Sequence, residues 1–307
     1  MRVASALLAL SAPLFARAAI VPEKRATVCN GNAALCDRSY GNVTFLGSHD
    51  SYAISSDPLA LARDQEASLT DQLNGGVRML QTQAHQDDGV LKFCHTSCLL
   101  FDGGSVADYL ATVVTWLKAN PNEVLTLLMT NPDGLSLPDV WKPVFDASGI
   151  TDFAYIPPSI PVKRGDWPTL GSMIDSGKRV VIFMDYGADG SDGGVVDYFL
   201  QEFTMIWEPP YDSTDNTFPC SVDRTSGPLS TSDHMYMLNH FYDKNVFGTG
   251  ILVSDPVDAP TTNGVASILA NAAGCAPLGD GLYPNFVLLD YVDLGNGLAA
   301  VNQMNGV

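Results

Sequence analysis

Short apolar runs alternate along this chain with segments of helical periodicity. Seven runs are predicted as strands, at residues 43–46, 77–80, 90–93, 124–129, 180–184, 235–238 and 286–289. One clear helix begins behind Ser105, a good N-cap, where apolar residues recur at helical spacing from Val106 to Leu117, and it stops at Asn120-Pro121. Strands that alternate with helices are typical of a parallel sheet with crossover helices, so the pattern predicts an α/β fold.

Polar residues follow several of these strands, either directly or after two small residues. The pairs are His49-Asp50, Asp185-Tyr186, Asn239-His240 and Asp290-Tyr291. In a parallel barrel the carboxyl ends of the strands meet at one rim, where substrates bind. Residues 185–233 are rich in Gly, Asp, Ser and Pro, which predicts long loops over that rim.

The length of the chain agrees with one large domain. It has 307 residues, of which 46% are hydrophobic and 16% charged, so it can bury a full core. An α/β barrel needs about 250 residues. No linker interrupts the sequence from Cys29 onward, and residues 26–307 are predicted as a single domain.

The amino-terminal residues carry signals of the secretory route. An arginine, an apolar run over residues 3–15 and small residues after it predict a signal peptide at residues 1–18. The run is shorter than the roughly 20 residues that a membrane-spanning helix needs. The dibasic pair Lys24-Arg25 predicts a pro-segment at residues 19–25. We therefore expect a secreted protein.

Six cysteines behind such a leader indicate three disulfides rather than metal ligands, because the secretory pathway is oxidising. Spacing alone does not decide the connectivity. Local pairing would join Cys29 to Cys36 and Cys94 to Cys98, which leaves Cys220 for Cys275. Asn42 begins an acceptor sequon and is predicted to be glycosylated.

The net charge of −18 narrows the class of partner. It repels phosphate backbones, so a nucleic-acid partner is not expected. It also disfavours steering onto anionic membranes at neutral pH.

Two of the five histidines stand where chemistry is expected. His49 and His95 each follow a predicted strand, and the cysteines beside His95 would stiffen its loop. Two imidazoles on one rim could serve as general base and general acid in a displacement at phosphorus, since their ordinary pKa near 6.5 suits proton transfer in both directions. Asp290 could fix the tautomer of one of them.

An ordered set of motifs gives the chain a resemblance to a known family. It consists of FLGSHDSY at residues 45–52, QLNGGVR at 72–78, His95, NPNEV at 120–124, Asn239-His240 and VLLDYV at 287–292. Together they resemble the X domain of phosphatidylinositol-specific phospholipase C, and most closely its fungal secreted, PLC-like phosphodiesterase members. The motifs span nearly all of the predicted mature chain.

The resemblance implies a TIM-like (β/α)8 barrel, irregular or incompletely closed, and a two-step mechanism with a cyclic phosphate intermediate. It assigns His49 as the base that deprotonates the inositol 2-hydroxyl and His95 as the acid that protonates the leaving alkoxide. Asp50 matches the acidic residue that supports the leaving-group side, and Asp290 matches the residue that orients the base.

Gln81 and Gln83 depart from the family pattern, which has charged residues after this strand. Neither amide neutralises a developing phosphorane charge as an arginine or a cation does. Arg78 matches a structural arginine, and its side chain should point away from both glutamines. No cofactor is predicted firmly. A divalent cation such as calcium is an alternative, although the family's usual carboxylate ligands are missing.

Three ways around the missing charge stay open. The chain could recruit a cation through Asp50, Asp133 or Asp185, use another basic residue, or act on a substrate other than phosphatidylinositol. The residues predicted to bind substrate are Gln81, Gln83, Asp185, Tyr186, Asn239 and His240. His240 could instead support a residue that touches the substrate. His85 is expected to be solvated.

The leading hypothesis is a secreted phosphoric diester hydrolase that acts on a phosphoinositide or a related phosphodiester lipid. It would work as a monomer in transient contact with a membrane surface. A second hypothesis is a barrel without catalysis that binds a headgroup, a glycan or a protein. A third is a glycerophosphodiesterase-like hydrolase, whose expected His-Arg pair and metal-binding Glu and Asp are replaced here by His49-Asp50 and the two glutamines.

Overall fold

A computed structural model describes residues 25–191 and 193–307 of the chain. The predicted signal peptide at residues 1–18 and residues 19–24 of the predicted pro-segment lie outside the described residues. No helix in the described part is long and apolar enough to cross a bilayer.

Twelve strands and seven helices carry the described part of the fold. The strands are β1 Phe45–Ser48, β2 Met79–Asp87, β3 Val90–Cys94, β4 Asp102–Ser105, β5 Leu125–Thr130, β6 Val180–Met184, β7 Phe199–Gln201, β8 Ile206–Trp207, β9 Met235–Asn239, β10 Asp243–Asn245, β11 Leu252–Ser254 and β12 Phe286–Leu289. The helices are α1 Leu69–Asn74, α2 Val106–Ala119, α3 Lys142–Ser148, α4 Leu170–Asp175, α5 Ala259–Thr262, α6 Val265–Cys275 and α7 Gly297–Asn305.

Eight of the strands form one parallel sheet in the order β7-β6-β5-β2-β1-β12-β9-β8. Around the barrel the strands follow chain order, from β1 through β2, β5 and β6 to β7 on one side, and from β8 through β9 and β12 back to β1 on the other. A TIM barrel has the same cyclic order. The terminal strands β7 and β8 do not pair with each other in the described structure, so the barrel is open at one seam. The predicted α/β barrel is confirmed, in its incompletely closed form.

Alternation along the strands separates two apolar layers. In β12, Phe286 and Leu288 pack inside the barrel, whereas Val287 and Leu289 pack toward the surrounding helices. The strand β6 is buried on both faces, as its fully apolar sequence predicts. The two layers fix the register, because a shift by one residue would exchange them.

The predicted strands are found within a few residues of their expected ends, but two barrel strands were not predicted. β7 and β8 lie in residues 185–233, which the sequence assigned to long loops. They have three and two residues and stand among glycines, aspartates and prolines, so they show no apolar period. β2 is longer than predicted, because its second half leaves the barrel and pairs antiparallel with β3.

Local interactions explain where α2 begins and which way the Arg78 side chain points. The Ser105 hydroxyl accepts a hydrogen bond from the backbone N–H of Asp108 and caps α2 as predicted. Arg78 points away from the site, and its guanidinium donates to Glu123 Oε2 at 2.8 Å and to the Val77 carbonyl at 2.7 Å.

The three predicted disulfides are confirmed as Cys29–Cys36, Cys94–Cys98 and Cys220–Cys275. The first closes a turn in the segment before β1. The second closes the loop after β3. The third joins the loop after β8 to the end of α6.

Candidate active site

A cavity of about 310 Å³ opens at the carboxyl ends of the barrel strands. Seven of the predicted site residues line it together, namely His49, Asp50, Gln81, Gln83, His95, Asp185 and Asn239. Asp290 lies directly behind His49. The cavity therefore collects side chains that are spread over most of the sequence, because the carboxyl ends of parallel strands meet at one rim.

His49 follows β1 and is held by a carboxylate and an aromatic ring. Its Nδ1 lies 2.7 Å from Asp290 Oδ1, and its ring stacks on Phe241 with centroids 4.0 Å apart. Burial lowers the pKa of His49, but attraction to Asp290, helped by Asp50 and Asp64, outweighs burial and raises the pKa well above its ordinary value. Because Asp290 occupies Nδ1, Nε2 is the ring nitrogen left for a ligand.

His95 follows β3 and has its own acidic partners. Its Nδ1 lies 2.9 Å from the Ala62 carbonyl oxygen and 3.0 Å from Asp64 Oδ2, and its Nε2 lies 3.7 Å from Asp50 Oδ2. Burial lowers the pKa of His95, but the hydrogen bond and charge of Asp64, with the charge of Asp50, raise it to about 10. The imidazole is therefore protonated at neutral pH.

Asp64 was missed by the sequence reasoning. It is buried in the loop between β1 and α1, and its backbone N–H donates to the Ala53 carbonyl. No apolar strand precedes it, so it lacks the sequence signal that pointed to Asp50 and Asp290. An acidic residue in a loop that follows an early strand was the only hint.

The two glutamines hold the backbone after each histidine. Gln81 Oε1 accepts the N–H of Asp50 at 2.7 Å, and Gln83 Oε1 accepts the N–H of Thr96 at 2.7 Å. Asp50 and Thr96 have φ values of 34° and 59°, a left-handed conformation that is uncommon for residues other than glycine. Each glutamine therefore fixes one strained turn beside a histidine, and its amide nitrogen is the end left to meet a ligand.

Carboxylates and histidines come close enough in two groups to raise the question of a metal. The groups are His49, Asp64 and Asp290, and Asp50, Asp64 and His95, each with its ligand atoms within 4.8 Å. Calcium takes six to eight oxygen ligands. Each group offers two carboxylates and a histidine already paired with one of them, and the oxygens of both glutamines are engaged. The donor set does not fit calcium, and we derive no step through a cation.

The opposite wall of the cavity carries charged residues that were not predicted. Arg224 pairs with Glu208, and its guanidinium lies 4.4 Å from the centroid of the Tyr211 ring. Burial lowers the pKa of Arg224, but Glu208 and Glu202 together raise it. Of the described residues that line the cavity, Arg224 alone is an arginine or a lysine. It stands in the loop after β8, where no pattern marks it.

Three carboxyl groups stand on that wall, those of Glu202, Asp185 and Glu208. Burial raises the pKa of Glu202 well above its ordinary value, and the neighbouring Glu208 raises it further. Burial also raises the pKa of Asp185 to about 6, and Asp185 Oδ1 accepts the N–H of Asn131. Asn239 donates to Glu208 Oε2 at 3.2 Å. The wall thus presents both donors and acceptors.

Two predicted substrate-binding residues lie outside the cavity lining. His240 is fully buried, with Nδ1 3.0 Å from Asn271 Oδ1 and Nε2 2.9 Å from the Thr262 carbonyl. It follows Asn239, so the alternation of the strand turns it toward the helices. Tyr186 is half exposed, and its ring lies beside Gly134 instead. Neither side chain lines the cavity, so substrate contact by His240 and Tyr186 stays a prediction without support from its geometry.

Other predicted positions are simpler to place. His85 lies on β2 with its side chain 17% exposed, so it is less solvated than expected, and its Nδ1 is 3.0 Å from Asp133 Oδ1. Neither residue lines the cavity. Asn42 is exposed, as a glycosylation site must be, and its modification stays a prediction.

Comparisons with known proteins give a consistent result. The PI-PLC X family model matches residues 35–305. A protein from Arthroderma benhamiae named PI-PLC X domain-containing protein 1 is 42% identical over 295 residues, which cover 94% of this chain and 92% of that protein. A second protein of that fungus, named "Uncharacterized secreted protein", is 40% identical over 284 residues, which cover 90% of this chain and 62% of that protein.

Among solved structures, a mutant phosphatidylinositol-specific phospholipase C from Staphylococcus aureus matches with a TM-score of 0.59. The match covers 88% of this chain and 94% of the other, at 13% sequence identity. At that identity the likeness establishes the fold, and the chemistry has to be argued from the side chains of this chain.

Proposed function

The chain belongs to the PI-PLC X family, and from this premise we propose that it is a secreted phosphodiesterase that cleaves the headgroup phosphodiester of a lipid. His49 acts as the base and His95 as the acid. The observation that carries the proposal is that these two imidazoles, each with its own carboxylate partner, line one cavity of about 310 Å³.

In the first step His49 Nε2 takes the proton of a headgroup hydroxyl next to the phosphate. The hydroxyl oxygen bonds to phosphorus, the bond from phosphorus to the lipid oxygen breaks, and His95 Nε2 gives its proton to that oxygen. In the second step the roles reverse. His95 takes a proton from water, the water oxygen opens the cyclic phosphate, and His49 returns its proton to the headgroup oxygen.

The partners of the two rings support this division of roles. A pKa of about 10 keeps His95 protonated and ready to donate at neutral pH. Asp290 holds the Nδ1 proton of His49, so that Nε2 can accept. The pKa of His49 is also raised, and we expect activity to rise with pH as His49 loses its proton.

The negative charge that grows on the phosphate oxygens is met by the His95 imidazolium and by the amide nitrogens of Gln81 and Gln83. This assignment is supported by the amide oxygens, which are engaged by Asp50 and Thr96. Neutral amide donors stabilise an anion less than a guanidinium does. We therefore expect a slower enzyme than one with an arginine at either glutamine position.

The headgroup is proposed to be a polyol phosphate such as inositol phosphate. The wall opposite the histidines supports this, because the guanidinium of Arg224 offers donors beside the acceptor oxygens of Glu208 and Asp185. Neighbouring hydroxyls of a ring both donate and accept, so they can bond to such a wall.

The lipid would be reached at a membrane surface. Three rim loops expose large apolar side chains, with Leu59, Leu99 and Phe247 exposed by 83%, 99% and 100%. The loops contact one another through hydrogen bonds from His95 to the Ala62 carbonyl and from Ser254 to the Arg63 carbonyl. Exposed apolar side chains around a site favour contact with lipid. The net charge of −18 favours neutral over anionic bilayers.

Hydrolysis of phosphatidylinositol, of its glycosylated form and of a soluble short-chain analogue tests the proposal, each with and without a chelator. We expect His49→Ala and His95→Ala to lose activity by about 10²-fold or more, and the chelator to change nothing. Wild-type protein no more active than either variant would refute the catalytic roles.

The membrane contact has its own test. Leu99→Asp with Phe247→Asp is expected to lower activity on phosphatidylcholine vesicles that contain the substrate about tenfold, because charge in the interface opposes binding. Activity on the soluble analogue should be unchanged. Ile156→Asp, at an exposed apolar position near the amino end of β6, is the matched control. An equal loss on both substrates would contradict the membrane role.

A further inference from the structure

The segment that begins at Ala26 folds onto the end of the barrel opposite the cavity. The N–H of Asn30 donates to the Asn122 carbonyl, and its side chain donates to the Val124 carbonyl, just before β5 begins. The Cys29–Cys36 disulfide closes the following turn. The main chain is therefore anchored a few residues after the dibasic pair Lys24-Arg25.

Ala26 itself has a specific acceptor. Its backbone N–H donates to Asp175 Oδ1 at 2.7 Å, and its side chain packs against the core cluster inside the barrel. Asp175 ends α4 and is partly buried. Beside this contact lies a second cavity, of about 340 Å³, whose charged lining side chains are Arg25, Asp37 and Asp175. Arg25 is exposed.

We propose that an endoprotease specific for paired basic residues cleaves the bond between Arg25 and Ala26, and that the new α-ammonium group of Ala26 binds Asp175. Water hydrolyses the peptide bond. Its oxygen becomes part of the new carboxylate of Arg25, and its protons go to the nitrogen of Ala26, which becomes an ammonium group. The site loses the guanidinium of Arg25 and gains a positive charge on the nitrogen that already donates to Asp175. This inference is independent of the proposed function.

The charge arithmetic favours the cleaved form. In the uncleaved chain Asp175 accepts from a neutral amide, whereas after cleavage it accepts from an ammonium group, which adds the attraction between two opposite charges to the hydrogen bond. An α-amino group has an ordinary pKa of about 7.7–8.0, so it is charged in a neutral or acidic medium. Little chain entropy is lost, because Cys29 and Asn30 already fix the segment.

The first experiment determines the amino terminus of the protein secreted by a eukaryotic host, by Edman sequencing and intact mass. We expect Ala26 as the first residue of the wild type, and an upstream residue for the double variant Lys24→Ala/Arg25→Ala. A wild-type chain that starts anywhere else overturns the cleavage.

The second experiment tests the docking of the new terminus by thermal unfolding. In the cleaved protein Asp175→Asn should lower Tm by about 1–3 °C. Asp37→Asn, which removes the other carboxylate of the same cavity, should lower it by less than about 1 °C.

The same pair of substitutions is then made in the uncleaved Lys24→Ala/Arg25→Ala background. The effect of Asp175→Asn should be smaller there, because only the neutral amide bond is lost. Equal effects in both backgrounds, or an equal effect of Asp37→Asn, would overturn the ammonium contact. Phosphodiesterase activity should not respond to Asp175→Asn, so a failure here is distinct from a failure of the proposed function.

Discussion

The turn that carries His49 and the turn that carries His95 follow the same plan with different supports. In each turn a histidine comes directly after the last residue of a strand, and a carboxylate lies at the histidine Nδ1. The next residue has a left-handed conformation, and a glutamine side chain accepts the N–H of that residue. The His49 turn leaves β1, which pairs on both sides within the barrel. Buried Gln65 donates to the His49 carbonyl, and Phe241 stacks on its ring.

The His95 turn stands outside the barrel sheet. It leaves β3, which belongs to an antiparallel extension of β2, and a disulfide closes it. Its acidic partner Asp64 comes from a loop rather than from a strand end. The His95 side chain is 26% exposed, against 18% for His49.

The difference separates the two proposed roles physically. The base is positioned by the packed barrel, so its geometry should persist as long as the fold does. The acid depends on a disulfide, a loop carboxylate and a glutamine, so it should respond to local changes that leave the fold intact.

The largest effect is expected from Asp290→Asn on the barrel side. Without the carboxylate, His49 loses the partner that raises its pKa and fixes its tautomer, so kcat/KM should fall by about 10²- to 10⁴-fold. The acid limb of the pH profile reports the loss of the His49 proton, and should move to lower pH because the raised pKa falls. Asp133→Asn, which removes the carboxylate beside His85 outside the cavity, should leave the profile unchanged.

Asp64→Asn should act on the other limb. Asp64 is the main influence that raises the pKa of His95 to about 10, so its loss lets His95 deprotonate at lower pH. The alkaline limb should move down by at least about one pH unit, with a loss of kcat/KM at neutral pH within about tenfold. A shift of the acid limb instead would contradict the division of roles.

Removing the loop disulfide with Cys94→Ser/Cys98→Ser should lower kcat by up to about tenfold, because the loop that positions His95 becomes more flexible. Loop-closure entropy predicts about 2 kcal/mol less stability. Cys29→Ser/Cys36→Ser removes a disulfide of similar span at the other end of the barrel. It should cost a similar amount of stability with kcat unchanged. Equal losses of kcat in both variants would remove the contrast between the two ends.

The smallest effect on stability is expected from Gln83→Met, which removes the acceptor of the exposed Thr96 N–H together with one proposed amide donor to the phosphate. A lost hydrogen bond of about 0.5–1.5 kcal/mol corresponds to a fall in kcat of about 2- to 12-fold, with little change in stability. Gln81→Met leaves the N–H of buried Asp50 without a partner and should lower the free energy of unfolding by about 1–3 kcal/mol. Both variants lose an amide donor and should lose kcat, so urea unfolding measures the difference between them. Equal losses of stability would contradict the different burial of the two N–H groups.

Much of the fold could be predicted from the sequence. Apolar runs such as residues 180–184 and 286–289 are found as strands with the predicted bounds, because a strand buried on both faces needs an unbroken apolar sequence. The polar residues after them reach the same rim because the strands are parallel. The short strands β7 and β8 escaped prediction, because their pairing partners and not their composition make them strands.

The sequence by itself determined which residues follow the parallel strands, and therefore that His49 and Asp290 belong to one rim. His95 reaches that rim from β3, which lies outside the parallel sheet. Only the tertiary structure decided which atoms meet there. Asp64 and Arg224 reach the site from loops without any period, and His240 is turned away by the alternation of its strand. Periodicity is a property of neighbours along the chain, whereas a contact between loops depends on distances that are set only after the barrel has formed.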